Sequence, residues 1–262
     1  MEKCVSGEIE EHYTLHPCGK RGAIQHGVHK VSGRSVAVKM VALGKMAERE
    51  LELMKSLGRH DHIVEFVDCF RTLTDMMLVM EYLPGGDLLA YCVQHGPLNE
   101  DAVRRFFRDI HGGVSYMHSK GIVHRDLKLE NCMLTAESRV KMIDFGLGSF
   151  WREGEMLCTA CGSPSYVAPE ILLHQTYLGP PVDVWAMGVM LFCMRSGEFP
   201  FESIQCTLDK DYEWPDASDG LKTLVDAMFD LGSADCRCDT SRRVDECEMN
   251  FIEECKILKL FS

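Results

Sequence analysis

At residues 83–87, "LPGGD", the apolar period of the chain changes from that of strands to that of helices, and this break fixes a two-part architecture. Ahead of it, "SVAVKMV" (35–41) alternates and is rich in valine, and "HIVEFVDCF" and "MMLVMEY" read as two further strands. Between them, "KMAERELELMKSL" (45–57) places Met46, Leu53 and Leu57 near one face, with Leu51 and Met54 beside it, which is a helical pattern. Beyond the break, Asn99 is a credible N-cap, and Val103, Phe106, Ile110, Val114 and Met117 follow at helical spacing until Gly121. Residues 182–196 form a second helix closed by Gly197. Its uncharged stretch "VWAMGVMLFCM" is too short to span a bilayer and reads as core. Leu221, Leu224, Val225 and Met228 mark another helix, closed by Gly232. The fold class is therefore α+β, with a small strand-rich lobe (1–83) and a larger helical lobe (84–262).

Charge and cysteine usage exclude several roles. The 262 residues carry a net charge of −12, which argues against nucleic acid or an anionic membrane as the main partner and allows a basic one. The N-terminal "MEKCVSGEIEE" is acidic and lacks an apolar core, so neither a signal peptide nor N-myristoylation is expected. The 13 cysteines show no disulfide framework, which implies free thiols in a reducing compartment, cytoplasmic or nuclear. Cys158 and Cys161 form a C-x-x-C, and Cys236, Cys238, Cys247 and Cys255 cluster late, but no regular pair of pairs and no histidine beyond residue 174 supports zinc.

The chemistry is concentrated in "IVHRDLKLENCML" (122–134) and, shortly after it, "DFG" (144–146). With "VAVK" (36–39), "APE" (168–170) and "DVWAMG" (183–188) in order, the chain resembles a eukaryotic protein kinase over almost its whole length. The resemblance implies the bilobal protein-kinase fold and transfer of phosphate from ATP with Mg2+. Phosphoryl transfer needs positioning and charge neutralisation more than covalent participation. By resemblance, Lys39 pairs with the α- and β-phosphates, and Asp144 and Asn131 hold magnesium through hard oxygens. Asp126 accepts the proton of the substrate hydroxyl, and Lys128 approaches the transferring phosphate and marks the serine/threonine type of loop. A single aspartate or lysine is ordinarily a solvated surface residue; the ordered set is what carries these assignments. The resemblance also implies that Met80 is the gatekeeper of the adenine site, that the backbone of Glu81 and Leu83 hydrogen-bonds the base, and that Ile24, Ala37 and Met133 sandwich it.

"PCGKRGAI" (17–24) matches the glycine loop, with Gly19 and Gly22 free to approach phosphate. Pro17 stands at the first glycine position, where it fixes φ and removes a donor, so weakened nucleotide affinity is expected. By resemblance to the family's pattern for the following helix, Glu50 is the partner of Lys39, with Glu48 a poorer candidate. The short link between them is still reachable at about 3.3 Å per extended residue. After about residue 203 the chain is trimmed and irregular where relatives carry an extra helix. Arg237, Arg242 and Arg243 compete to pair with Glu170.

The segment "EMLCTACGSPSYVAPE" (155–170) and "DYEWP" (211–215) look like the AMP-activated-kinase-like branch of the calmodulin-dependent kinase group. That likeness implies an activating phosphosite at Thr159, pairing with Arg125, and hence an upstream activating kinase as a partner. It also implies Ser163 in the substrate-docking turn, and Glu130 and Asp87 facing a protein substrate with a basic residue N-terminal to its serine or threonine. The alternative is a pseudokinase scaffold, suggested by Pro17, the short link before Glu50 and the trimmed lobe.

Overall fold

The computed structural model describes residues 9–17, 24–214 and 216–232. The N-terminal lobe holds α1 (Ile9–His12), β1 (Tyr13–Pro17), β2 (Ile24–His29), β3 (Ser35–Ala42), α2 (Lys45–Leu57), β4 (Phe66–Arg71) and β5 (Asp75–Glu81). Its strands form one antiparallel sheet in the order β1-β2-β3-β5-β4. The register sets Ile24 opposite Lys39 and Ala37 opposite Met80, so side chains from neighbouring strands converge on one face.

Two details of the lobe differ from the periodicity reading. Met46 is 62% exposed, and the buried face of α2 is Ala47, Glu50, Leu51, Leu53, Met54 and Leu57. The inward face thus includes a carboxylate, which a purely apolar template passes over. Residues 62–65 are also not part of β4. Their backbone serves the second lobe instead, with the Met142 N–H donating to the His62 carbonyl at 2.9 Å and the Val64 N–H to the Met142 carbonyl at 3.0 Å.

The "LPGGD" break is a covalent hinge cross-tied to the second lobe. The Gly85 N–H donates to the Leu134 carbonyl at 2.9 Å, and the Leu134 N–H donates to the Gly86 carbonyl at 2.9 Å. A Cβ on Gly85 would meet Leu134 at 2.7 Å, and Gly86 adopts φ 75°, so both positions need glycine.

The second lobe continues with α3 (Leu88–His95), α4 (Glu100–Ser119), β6 (Ile122–Val123), β7 (Cys132–Leu134), β8 (Val140–Met142), β9 (Ser149–Phe150), β10 (Met156–Leu157), α5 (Pro169–Leu172), β11 (Tyr177–Leu178), α6 (Gly179–Ser196), α7 (Ile204–Asp209) and α8 (Asp219–Gly232). Asn99 caps α4 by accepting from the Ala102 N–H at 2.9 Å. Helix α6 begins at Gly179, ahead of the predicted start, because Pro180 and Pro181 fill first-turn positions whose N–H groups would bond nothing. It is buried nearly all round and stops at Gly197 in the left-handed conformation. Trp185 at its centre is fully buried, stacked on Phe201 at 5.5 Å and tilted against Phe229 at 4.7 Å. Between α6 and α8 the described residues form one short helix, α7, capped by Ser203. Among the described residues no helix is long and apolar enough to cross a membrane.

Candidate active site

Helix α2 brings Glu50 against β3, where Lys39 Nζ lies 2.6 Å from Glu50 Oε1 and 2.9 Å from Asp144 Oδ1. The competing Glu48 points elsewhere, pairing with Arg71 at 2.6 Å on the surface. Burial works against the Lys39 charge, yet Glu50 and Asp144 overrule it and hold the ammonium above its ordinary pKa. Burial likewise opposes the charge on Asp144, but Lys39 and the Gly146 N–H keep its carboxyl below the usual range. Glu50 is pushed upward by burial against the pull of Lys39.

A second cluster forms on the loop after β6. Lys128 Nζ donates to Asp126 Oδ2 at 2.8 Å and to Ser163 Oγ at 2.7 Å, while Ser163 Oγ donates to Asp126 Oδ1 at 2.8 Å. Asn131 Nδ2 donates to the Asp126 carbonyl at 2.9 Å and to Asp126 Oδ2 at 3.1 Å. The two clusters are joined through the backbone, since the Ile143 N–H donates to the Asn131 carbonyl at 2.9 Å. Arg125 and Asp144 both adopt φ 64°, a left-handed conformation that non-glycine residues seldom hold without surrounding support.

For Arg125 that support comes from Asp183 near the start of α6. It is 1% exposed and accepts from the His124 N–H at 2.9 Å and the Arg125 N–H at 2.8 Å, with His118 Nε2 also 2.9 Å away. Burial opposes its charge, but His118 and these N–H donors hold its carboxyl low.

The donor set fits a hard divalent cation. Asn131 spends its amide nitrogen on Asp126, which leaves its amide oxygen for a metal, and the Asp144 side chain remains 44% exposed beside it in the chain's next loop. Around them, Met80 and Leu83 are buried, Ile24, Ala37 and Met133 are half-buried, and Met133 bridges Asp87. The Glu81 N–H already donates to the Glu65 carbonyl at 3.0 Å, so a base would have to meet the Glu81 carbonyl instead.

A family model described as protein kinase domain matches residues 18–258. The chain belongs to the protein kinase family. It is accordingly a phosphotransferase with the bilobal kinase fold, and its substrate is a protein. Protein kinases use ATP and Mg2+, and the oxygens of Asp144 and Asn131 suit that pairing.

The kinase's remaining candidate residues fall into three groups. Arg125 donates from Nε to the Leu147 carbonyl at 2.8 Å and from Nη1 to the Tyr177 hydroxyl at 3.4 Å, and Tyr177 donates to the Thr159 carbonyl at 2.7 Å. Thr159 and Cys158 are exposed beside the half-buried Cys161. Asp87 and Glu130 have internal duties: Asp87 caps α3 by accepting from the Ala90 N–H at 2.8 Å, and Glu130 accepts from the Tyr166 hydroxyl at 3.1 Å. Gly19 and Gly22, the arginines at 237, 242 and 243, and the late cysteines lie outside the described residues. Sequence reasoning met Asp183 only as the first residue of "DVWAMG", with no role given to it, and did not single out Tyr177. Asp183 had a signal, a lone carboxylate heading an otherwise apolar helix; Tyr177 had none.

Proposed function

We propose that the protein is a serine/threonine kinase that transfers the γ-phosphate of ATP to a hydroxyl of its protein substrate, and that an upstream kinase activates it at Thr159. The observation that carries this reading is the Asp126–Lys128–Ser163 triangle, a carboxylate, an ammonium and a hydroxyl joined by bonds of 2.7–2.8 Å. Asp126 Oδ can take the proton of an acceptor hydroxyl as that oxygen bonds the γ-phosphorus and the bond to the leaving oxygen breaks, releasing ADP. Lys128, already beside Asp126, offsets negative charge on the transferring group. Lys39, oriented by Glu50, holds phosphate oxygens of the nucleotide. Magnesium held by Asp144 and Asn131 would neutralise phosphate charge. The intact set of Lys39, Glu50, Asp126, Lys128, Asn131 and Asp144 favours an enzyme over a scaffold.

The regulatory part is supported by one shared phenol: Tyr177 contacts both Arg125 and the Thr159 backbone. A phosphate on Thr159 would add about −1.5 to −2 charges and several acceptor oxygens beside the Arg125 guanidinium, fixing the loop that carries Asp126. We further place the protein in a reducing cytoplasmic or nuclear compartment, which agrees with the free thiols among the described cysteines. The deciding experiment treats active enzyme with phosphatase and compares wild type with Thr159→Ala and Arg125→Ala. Full activity after dephosphorylation, or in Thr159→Ala, would remove the switch. A peptide array reads acceptor type and the preference for a basic N-terminal residue; tyrosine acceptors would overturn the assignment of class.

A further inference from the structure

A half-open cavity in the N-terminal lobe shares no lining residue with the catalytic cluster. It offers about 720 Å³ between the end of α2, the turn before β3 and the start of β4. A volume of that order accommodates a peptide side chain with its neighbours, whereas the space among α4, α6 and α8 holds about 20 Å³, enough for water only. The wall behind it reaches the hinge, because Glu65 also binds the Glu81 carboxylate through its own N–H at 2.7 Å.

The chemistry of the lining is unlike the rest of the molecule. The chain carries a net charge of −12, yet Arg34, Lys55 and Arg59 surround this cavity against the single carboxylate of Glu65. Glu65 divides itself between two guanidiniums, with Oε2 at 2.7 Å from Arg34 Nη2 and Oε1 at 2.6 Å from Arg59 Nε. One charge thus offsets two, and Arg59 remains 81% exposed. Lys55 stands 5.8 Å above the Phe66 ring, and the half-buried Phe66 and Val67 add apolar surface to the lining, each packed beneath on a different core cluster. These two residues open β4, the edge strand of the sheet, which pairs only with β5 among the described residues. A basic rim with apolar lining surface beside a strand edge matches one ligand chemistry, an extended segment with a carboxylate next to an apolar side chain. A bare phosphate would leave the apolar surface unused.

We propose that this cavity is a docking site for an acidic-apolar peptide segment of a partner protein. The arginine forks take the segment's carboxylate, releasing part of their hold on Glu65, and the adjoining aliphatic or aromatic side chain covers Phe66 and Val67. The site is independent of the phosphorylation switch at Thr159.

The test is a random-peptide phage selection on the full chain, with subtraction on an Arg34→Glu/Arg59→Glu variant. Enriched peptides should place Asp or Glu beside an apolar residue. Their affinity, measured by fluorescence anisotropy, should fall at least about tenfold in the double variant, while both proteins retain the same turnover on a generic protein substrate. If the double variant fails to fold, the exposed single change Arg59→Glu decides by the same readout. Recovery of no peptide that distinguishes the proteins, or of basic or purely apolar sequences, overturns the proposal.

Discussion

Glu50 and Glu170 are two carboxylates at 4% and 9% exposure, each on a helix flanking the catalytic loops, and they meet opposite conditions. Glu50 sits 2.6 Å from an ammonium. Glu170 has one oxygen, Oε2, buried with no hydrogen-bond partner among the described residues, and burial lifts its pKa to about 7. A buried charge must either be paired or be neutralised by a proton. The upper site takes the first course and can act on phosphate at neutral pH. Among the described residues the lower one has no such partner, and burial favours its protonated form near neutral pH.

The strongest way to break this contrast is Asp144→Asn, which removes one of the two partners of Lys39. Turnover should fall at least about a thousandfold, and magnesium-dependent stabilisation by ATP in a melting assay should largely vanish. Equal stabilisation with and without metal would contradict the role given to Asp144. Glu50→Gln leaves Lys39 with Asp144 alone, which would draw the ammonium out of place. We expect kcat about a hundredfold lower, and a loss below tenfold would mean that the pair is dispensable.

Glu170 offers a test of opposite sign. Its folded pKa of about 7 lies above the ordinary glutamate value of 4.5, so the native state binds its proton more tightly. Its contribution is complete below pH 4.5 and is lost as pH rises through 7, to a total of about 3 kcal/mol. Urea midpoints of wild type should decline across this window, and Glu170→Gln should flatten the decline and be the more stable protein above pH 7. A Glu170→Gln variant less stable than wild type at high pH would show a cationic partner, for which Arg237, Arg242 and Arg243 are the candidates. Glu48→Gln is the small-effect control, one turn-face away from Glu50 on α2. Its pair with Arg71 is solvent-exposed, so stability should change by no more than about 0.5 kcal/mol with activity retained.

The sequence was most readable where chemistry is packed into short stretches. Lys39, Asp126, Lys128, Asn131 and Asp144 stand in compact motifs, and the structure brings all of them together with Glu50. The lobe boundary was equally visible, because two adjacent glycines interrupt a change of apolar period. Other features depend on partners far apart in the chain. Asp183 reaches across 59 residues to the His124 N–H and 65 to His118, and no local pattern encodes such a meeting. The same holds for Tyr177 with Arg125, and for Tyr166 with Glu130. Met46 misled for a different reason: helical spacing registers an apolar stripe, and it does not register that a lysine on the preceding strand β3 makes a glutamate the better inward residue.

The attachment through Asp183 has a consequence for how the enzyme fails on heating. The catalytic loop hangs from Asp183 in the second turn of α6, whose later turns are the interior of the lobe. A loop fastened only to the surface could melt by itself and leave a folded, inactive protein. Separate melting of this one is disfavoured, because releasing His124 and Arg125 strips two N–H donors from the buried Asp183 carboxylate near the head of the central helix. Loss of activity and collapse of the helical lobe therefore belong to a single cooperative event.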